Sequence, residues 1–225
     1  MFYRLSIALL LSLSLAIAAQ AADHRVEPVE EPAPADAVSA EIAATLAPTG
    51  VRIVRGEART VCEIWLCKQL AAQPDFEATS AVQYPLVPGS LVGVVRYVNK
   101  GTDFRDQDIA RGVYTLRYGQ QPVDGNHVGT SPTRDFLLLI EAEKDKSPEV
   151  LDLKDLATAS AEAAQSSHPA LLSLQRPVDG GERAPSIRHN EEHDWWIVRL
   201  GGTIRAGDAE APLDLEFVVV GHAAE

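Results

Sequence analysis

Two strand-like runs flanking one heavily punctuated loop, residues 112–140 (GVYTLRYGQQPVDGNHVGTSPTRDFLLLI), constrain the fold more than any other part of the chain. Val113, Tyr114, Leu116 and Tyr118 lie in a β-branched and aromatic run. Phe136 to Ile140 is a continuous apolar run of strand length, bounded by Pro132 upstream and by charge downstream. Both read as inner strands. The segment between them carries Asp124-Gly125, which favours a tight turn, Gly119 and Gly129, which tolerate positive φ, and Pro122 and Pro132, which cannot donate to a ladder. The pattern predicts a long hairpin with an ordered loop over residues 119–133. Loops of that length are often functional, and many are plain covers over the end of a sheet.

The same texture continues on both sides. Residues 51–55, 59–67, 81–86 and 91–98 are short apolar or alternating runs separated by Gly, Pro and Asn, and 195–204 with 213–221 predict a closing hairpin. Two segments have helical character: 37–47, with Val38, Ile42 and Leu46 about four apart, and 153–165, where Asp152 is placed to cap a stripe of mostly small residues. With no alternation of strand and helix, the expected fold is mainly β: a single antiparallel β-sandwich of about eight strands with one or two short helices.

The ends of the chain read differently. Arg4, an apolar stretch over residues 5–17 and Ala19-Gln20-Ala21 form a secretory leader, residues 1–21, with cleavage expected after Ala21. No other apolar run approaches the roughly 18 residues of a membrane span, so no transmembrane anchor is expected after cleavage, and the expected location is periplasmic or extracellular. Residues 22–36 are acidic and proline-rich and predict a disordered linker; residues 37–225 then form the β-sandwich domain. The chain carries 20 basic and 32 acidic residues. Such a surface repels phosphate backbones and anionic membranes, which argues against nucleic acid as a partner.

Cys62 and Cys67 invite a disulfide in an oxidising compartment. VCEIWLC reads as a strand, however, and five residues at about 3.3 Å each separate the Cα atoms by roughly 16 Å, where a disulfide needs about 4.4–6.8 Å. Two buried free thiols are expected, with a kink that permits the bond, or a metal-ligand role for one thiol, as the alternatives.

The stretch YTLRYGQQPVDGNHVGTSPTRDFLLL, followed by SSHPALLSL over residues 166–174, resembles a family of uncharacterised secreted bacterial proteins that share the loop and the His-Pro step. The resemblance runs from about Val51 to the C-terminus. It implies a domain and brings no activity, cofactor or catalytic residue.

Residues with chemistry to offer cluster in loops. His189-Asn190-Glu191-Glu192-His193 fits the H-x-x-E-H pattern of inverted zinc peptidases, but Pro185 before it and Asp194-Trp195-Trp196 after it predict a charged hairpin instead of the helix that chemistry needs. His127, His168, His189 and His193 are candidate copper or zinc ligands, and Asp124 and Asp135 are oxygen donors without a calcium-loop pattern. Arg111, Arg117 and Arg134 flank the central hairpin with Asp135, as either a carboxylate-binding pair or a clamp on the loop. Trp195-Trp196 places one indole on each face of a strand, one inward and one free to stack. Neither a nucleophile elbow nor a phosphate loop is present.

The expected function is that of an exported, non-catalytic binding or interaction module, with no cofactor. It would use the 119–133 loop, with Arg117, Asp124, His127, Arg134, Asp135 and His168 contacting an unidentified protein or small molecule. The alternative is a periplasmic copper- or zinc-binding protein, or a metal-dependent enzyme, using His127, His168, His189 and His193. A purely structural envelope component is the third possibility.

Overall fold

The structure, a computed structural model, describes residues 23–123 and 131–223. In chain order the elements are β1 (His24–Val29), α1 (Ala40–Thr45), β2 (Gly50–Arg55), β3 (Arg59–Leu66), β4 (Leu70–Ala71), β5 (Leu91–Tyr97), β6 (Gly101–Thr102), β7 (Asp108–Ile109), β8 (Gly112–Gln120), β9 (Asp135–Glu141), α2 (Leu153–Ala163), β10 (Leu171–Ser173), β11 (Ser186–Asn190), β12 (Trp195–Ala206) and β13 (Ala209–Val220). The expected β-sandwich-like class is present. One sheet runs β1-β2-β3-β5-β8-β9-β10, and every pairing in it is antiparallel. A second runs β11-β12-β13, with β4 adding a short parallel pairing to β12, and β6 and β7 pair with each other as a third, two-stranded sheet.

Period-two alternation sends Ile53, Cys62, Ile64, Val95, Leu116, Leu137 and Leu139 from the larger sheet, and Val198, Leu200, Leu215 and Phe217 from the smaller, into one buried cluster. α1 adds Ile42 and Leu46 to that cluster. Ser39 caps α1 through the Ile42 N–H, and Asp152 caps α2 through the Lys154 N–H, as the sequence indicates for Asp152. The small-residue stripe of α2 lets it lie closely on β9, where the Ser160 hydroxyl donates to the Ala170 carbonyl at 2.8 Å.

Three expectations change. Residues 24–29 are not linker: they form β1, an edge strand in full antiparallel register with β2 from His24↔Arg55 to Val29↔Gly50. Averaging the acidic, proline-rich composition over residues 22–36 hides a short alternating run whose Val29 is buried, and Pro28 is tolerated because the strand is an edge. Residues 81–86 form no strand. Their one ladder contact is the bridge Ala72↔Leu86, and the Gln83 N–H is taken by the Asp135 carboxylate at 2.7 Å. Finally, β4, β6, β7 and β10 are two or three residues long, too short for a hydrophobic period to register, so the strands outnumber the expected eight.

Each of the two large sheets carries one buried glutamate between two arginines. Glu63 on β3 pairs with Arg52 on β2 and Arg96 on β5. Glu216 on β13 pairs with Arg188 on β11 and Arg199 on β12, and also accepts the Val178 N–H at 3.0 Å. Glu216 thus ties β11, β12 and β13 to the 175–185 connection. Glu216→Ala leaves two arginines and an N–H without their acceptor, and a loss of about 3–5 kcal/mol is expected in urea unfolding. Replacing all three charges with apolar residues of similar volume should recover most of that loss.

Candidate functional site

Three of the residues expected to bind ligand at the central hairpin, Arg117, Arg134 and Asp135, are engaged within the protein. Arg117 is fully buried, and each of its five N–H groups has an acceptor. Nε and one terminal nitrogen grip the Asp145 carboxylate at 2.7 and 2.9 Å, and the terminal nitrogens also reach the carbonyls of Gly89, Glu149 and Ser147. Gly89 stands at φ +87°, and a Cβ there would collide with the Leu151 carbonyl. Arg117 therefore fastens β8 to two loops and has no donor left for a ligand.

Asp135 is buried as well, accepting the Tyr118 hydroxyl at 2.5 Å and the Gln83 N–H at 2.7 Å. Burial raises its carboxyl above the ordinary carboxylate range, and those two bonds work against the rise. Arg134 spends its guanidinium on the Gln121 carbonyl, closing the stem of the loop. His168 is exposed, with its backbone N–H on the Ser166 hydroxyl at 3.2 Å. Asp124 and His127 lie outside the described residues.

His189 and His193 do not face a common point. His189 lies on β11, stacked on Trp196 at 4.5 Å and bonded to Asp194 at 2.8 Å; His193 lies in the turn, stacked on Trp195 at 4.3 Å. The motif is the strand–turn–strand that its flanks predict, so its two imidazoles take opposite faces. Among the described residues, no group of three or more His, Cys, Asp or Glu is arranged to hold a metal ion. Cys62 and Cys67 are free and buried, and burial pushes their thiols up to about 12 and about 11, so both stay protonated at neutral pH.

Besides a shallow cleft of about 520 Å³ along α2, the described residues leave open a seam where β1 and β2 meet β11 and β12. Its apolar part is a cleft of about 560 Å³ lined by Val26, Pro28, Ile64, Leu66, Pro185 and Leu200. Its polar end holds two adjoining clefts of about 230 and 310 Å³ that share His24, Arg55, Thr102 and Val220. Alternation along β1 turns His24 to the same face as Val26 and Pro28, and its ring packs 4.4 Å from Trp196. Trp195, on the other face, is buried against Phe104 and donates its indole N–H to the His222 carbonyl at 2.7 Å.

His24 is 8 % exposed, and neither ring nitrogen has a hydrogen-bond partner. Among the described residues, the only other buried side-chain nitrogen or oxygen without a partner is the Ser90 hydroxyl. Leaving such groups unpaired costs about 1–3 kcal/mol each. Beside His24, Arg55 and Arg59 stand directly opposite each other across the β2–β3 hairpin, and neither forms an ion pair among the described residues. Like charges placed so are mutually destabilising. Sequence reading missed all three. The signal available was the alternation of His24, Val26 and Pro28, and the two arginines flanking Gly56-Glu57-Ala58, a turn that sets them face to face.

No protein-family model, no curated protein and no solved structure matches the chain, so the site rests on its own chemistry.

Burial holds the His24 imidazole down at about 4, from an ordinary 6.5. The charges of Arg55 and His189 push the same way, and Asp194 and Asp23 oppose them. The unfolded chain therefore binds a proton that the folded chain refuses between those values, and stability rises with pH across that window. His24 contributes no penalty above about pH 7 and an increasing one as pH falls toward 4. Compared with His24→Phe, the parent protein should lose about 2 kcal/mol of additional unfolding free energy between pH 7.5 and pH 5, measured by urea titration at both pH values. Equal losses in the two proteins would show that His24 is solvated.

Proposed function

We propose that the chain is an exported, non-catalytic binding module that holds a small anionic ligand at the polar end of the seam. The observation that carries this reading is the unpaired cross-strand couple Arg55 and Arg59 beside the partnerless imidazole of His24. A carboxylate, sulfate or phosphate between the guanidinium groups converts a repulsion into two charge-assisted contacts. The neutral imidazole donates to the anion from its protonated nitrogen, and Trp196 supplies an apolar wall. The ligand is placed here, away from the 119–133 loop, because Arg117, Arg134 and Asp135 are consumed by the scaffold.

The test is thermal unfolding of the mature protein in inorganic phosphate, sulfate and succinate, with an Arg55→Ser/Arg59→Ser variant alongside. At least one anion should raise the melting temperature of the parent in proportion to the logarithm of its concentration, reaching about 2.7 kcal/mol at a hundredfold excess over Kd. Relieved of the like-charge contact, the variant should gain about 0.2–1 kcal/mol in anion-free buffer and respond to none of the three. A parent indifferent to every anion, or a variant that responds equally, overturns the proposal.

A further inference from the structure

The polar and apolar parts of the seam lie on one face of the same strands. Across β1, β2 and β3 that face runs from His24, Arg55 and Arg59 through Val26, Ile53 and Cys62 to Pro28, Val51 and Ile64. The bulge in the β2–β3 pairing keeps Arg59 on the face of Cys62, although three positions separate them. From His24 to Pro28 the strand advances about 13 Å. β11 flanks this strip from the other sheet: His24 and His189 both pack on Trp196 at one end, and Pro28 and Pro185 both line the apolar cleft at the other. Half-buried Val26 and Ile187 therefore stand midway along the seam. We infer that the ligand is a long-chain fatty acid, with its carboxylate held by Arg55 and Arg59 and its hydrocarbon tail running past Val26 into the apolar cleft. This deepens the anion reading and rests on it for the position of the head.

The two ends call for different chemistry. Val26, Pro28, Ile64, Leu66 and Leu200 give the cleft of about 560 Å³ hydrocarbon walls, and among the described residues none of its lining side chains holds a buried nitrogen or oxygen without a partner. It suits a tail and offers nothing to a head. The polar clefts do the reverse, with the arginine pair and the partnerless imidazole. One mostly apolar cavity with a few convergent polar groups at one end is the usual form of a small-molecule site. Glu30 fixes the orientation. It is exposed and is the one charged side chain in the apolar lining, which among the described residues includes no Lys, Arg or His. A second carboxylate at the tail end would meet this like charge without a counter-ion, so a monocarboxylate fits where a dicarboxylate of the same length does not.

The experiment is isothermal titration of the purified mature protein with octanoate, decanoate and laurate below their micelle concentrations, with 1-decanol and dodecanedioate as controls. Each methylene added should tighten binding about fourfold. Decanol should bind more weakly than decanoate, and dodecanedioate more weakly than laurate. The Arg55→Ser/Arg59→Ser variant should weaken all three monocarboxylates by a common factor and keep the dependence on chain length. Val26→Gln, its fold checked by circular dichroism, should flatten that dependence; should it not fold, the chain-length series and the dodecanedioate comparison in the parent decide alone. A parent that binds short and long carboxylates alike, or dodecanedioate as well as laurate, overturns the inference and leaves the anion reading standing. A chain-length dependence with no contribution from the arginines overturns both. A parent that binds none of the carboxylates overturns the inference, and phosphate and sulfate then decide the anion reading by themselves.

Discussion

The structure depends on how the two large sheets are joined: by a backbone crossing at one edge, and on the β11 side by the short β4–β12 pairing and otherwise by side chains. At the joined edge, β10 ends on β9 and the chain crosses directly to the smaller sheet: Leu174 N–H donates to the Asp135 carbonyl at 2.9 Å and Gln175 N–H to the Glu216 carbonyl at 2.7 Å, with Leu174 bridging to Phe217. The Tyr84 hydroxyl, donating to the Gln175 carbonyl at 2.8 Å and accepting the Glu216 N–H at 2.9 Å, locks that crossing from inside. Edge strands that would otherwise present free backbone groups are satisfied there. On the opposite edge β1 approaches β11 with no ladder between them among the described residues. Apart from the two-residue β4–β12 pairing, that side closes through side chains, and three clefts lie along it.

The treatment of buried charge separates scaffold from site. Glu63, Glu216, Asp135, Asp145 and Arg117 are all buried, and each has its partners inside the protein. Asp103 follows the rule, accepting N–H groups from Arg105, Gln107 and Leu171. Such networks are costly when incomplete and rigid when complete. The partnerless buried ring of His24 departs from that rule, and it lies beside the exposed Arg55 and Arg59, which form no ion pair among the described residues. The sequence motif with the sharper look, His189 to His193, is by contrast fully used in stacking and turn formation.

How much of this the sequence discloses depends on the range of the interaction. Features decided within a few residues were legible: the alternation of β8 and β9, the Asp152 cap, the hairpin character of residues 189–196, the separation of Cys62 from Cys67. Features decided by a partner far along the chain were not. Arg117 looked like half of a local pair with Asp135, but its carboxylate is Asp145, across a loop. Residues 24–29 looked unfoldable because their composition is polar, and they are ordered because Gly50 to Arg55, more than twenty residues on, offers a strand edge in register. His24 was lost with that strand. Its burial comes from Trp196, which no local pattern can indicate.

The overall charge works against an anionic ligand. A chain of net charge −12 repels anions over the distances its field reaches. At physiological ionic strength that field decays within about 8 Å, the scale of the cleft itself. Inside this range the local charges decide, and there Arg55 and Arg59 stand opposite Asp23 and Asp194. An imidazole that burial keeps neutral at physiological pH can give a hydrogen bond to an anion without paying for its own ionisation.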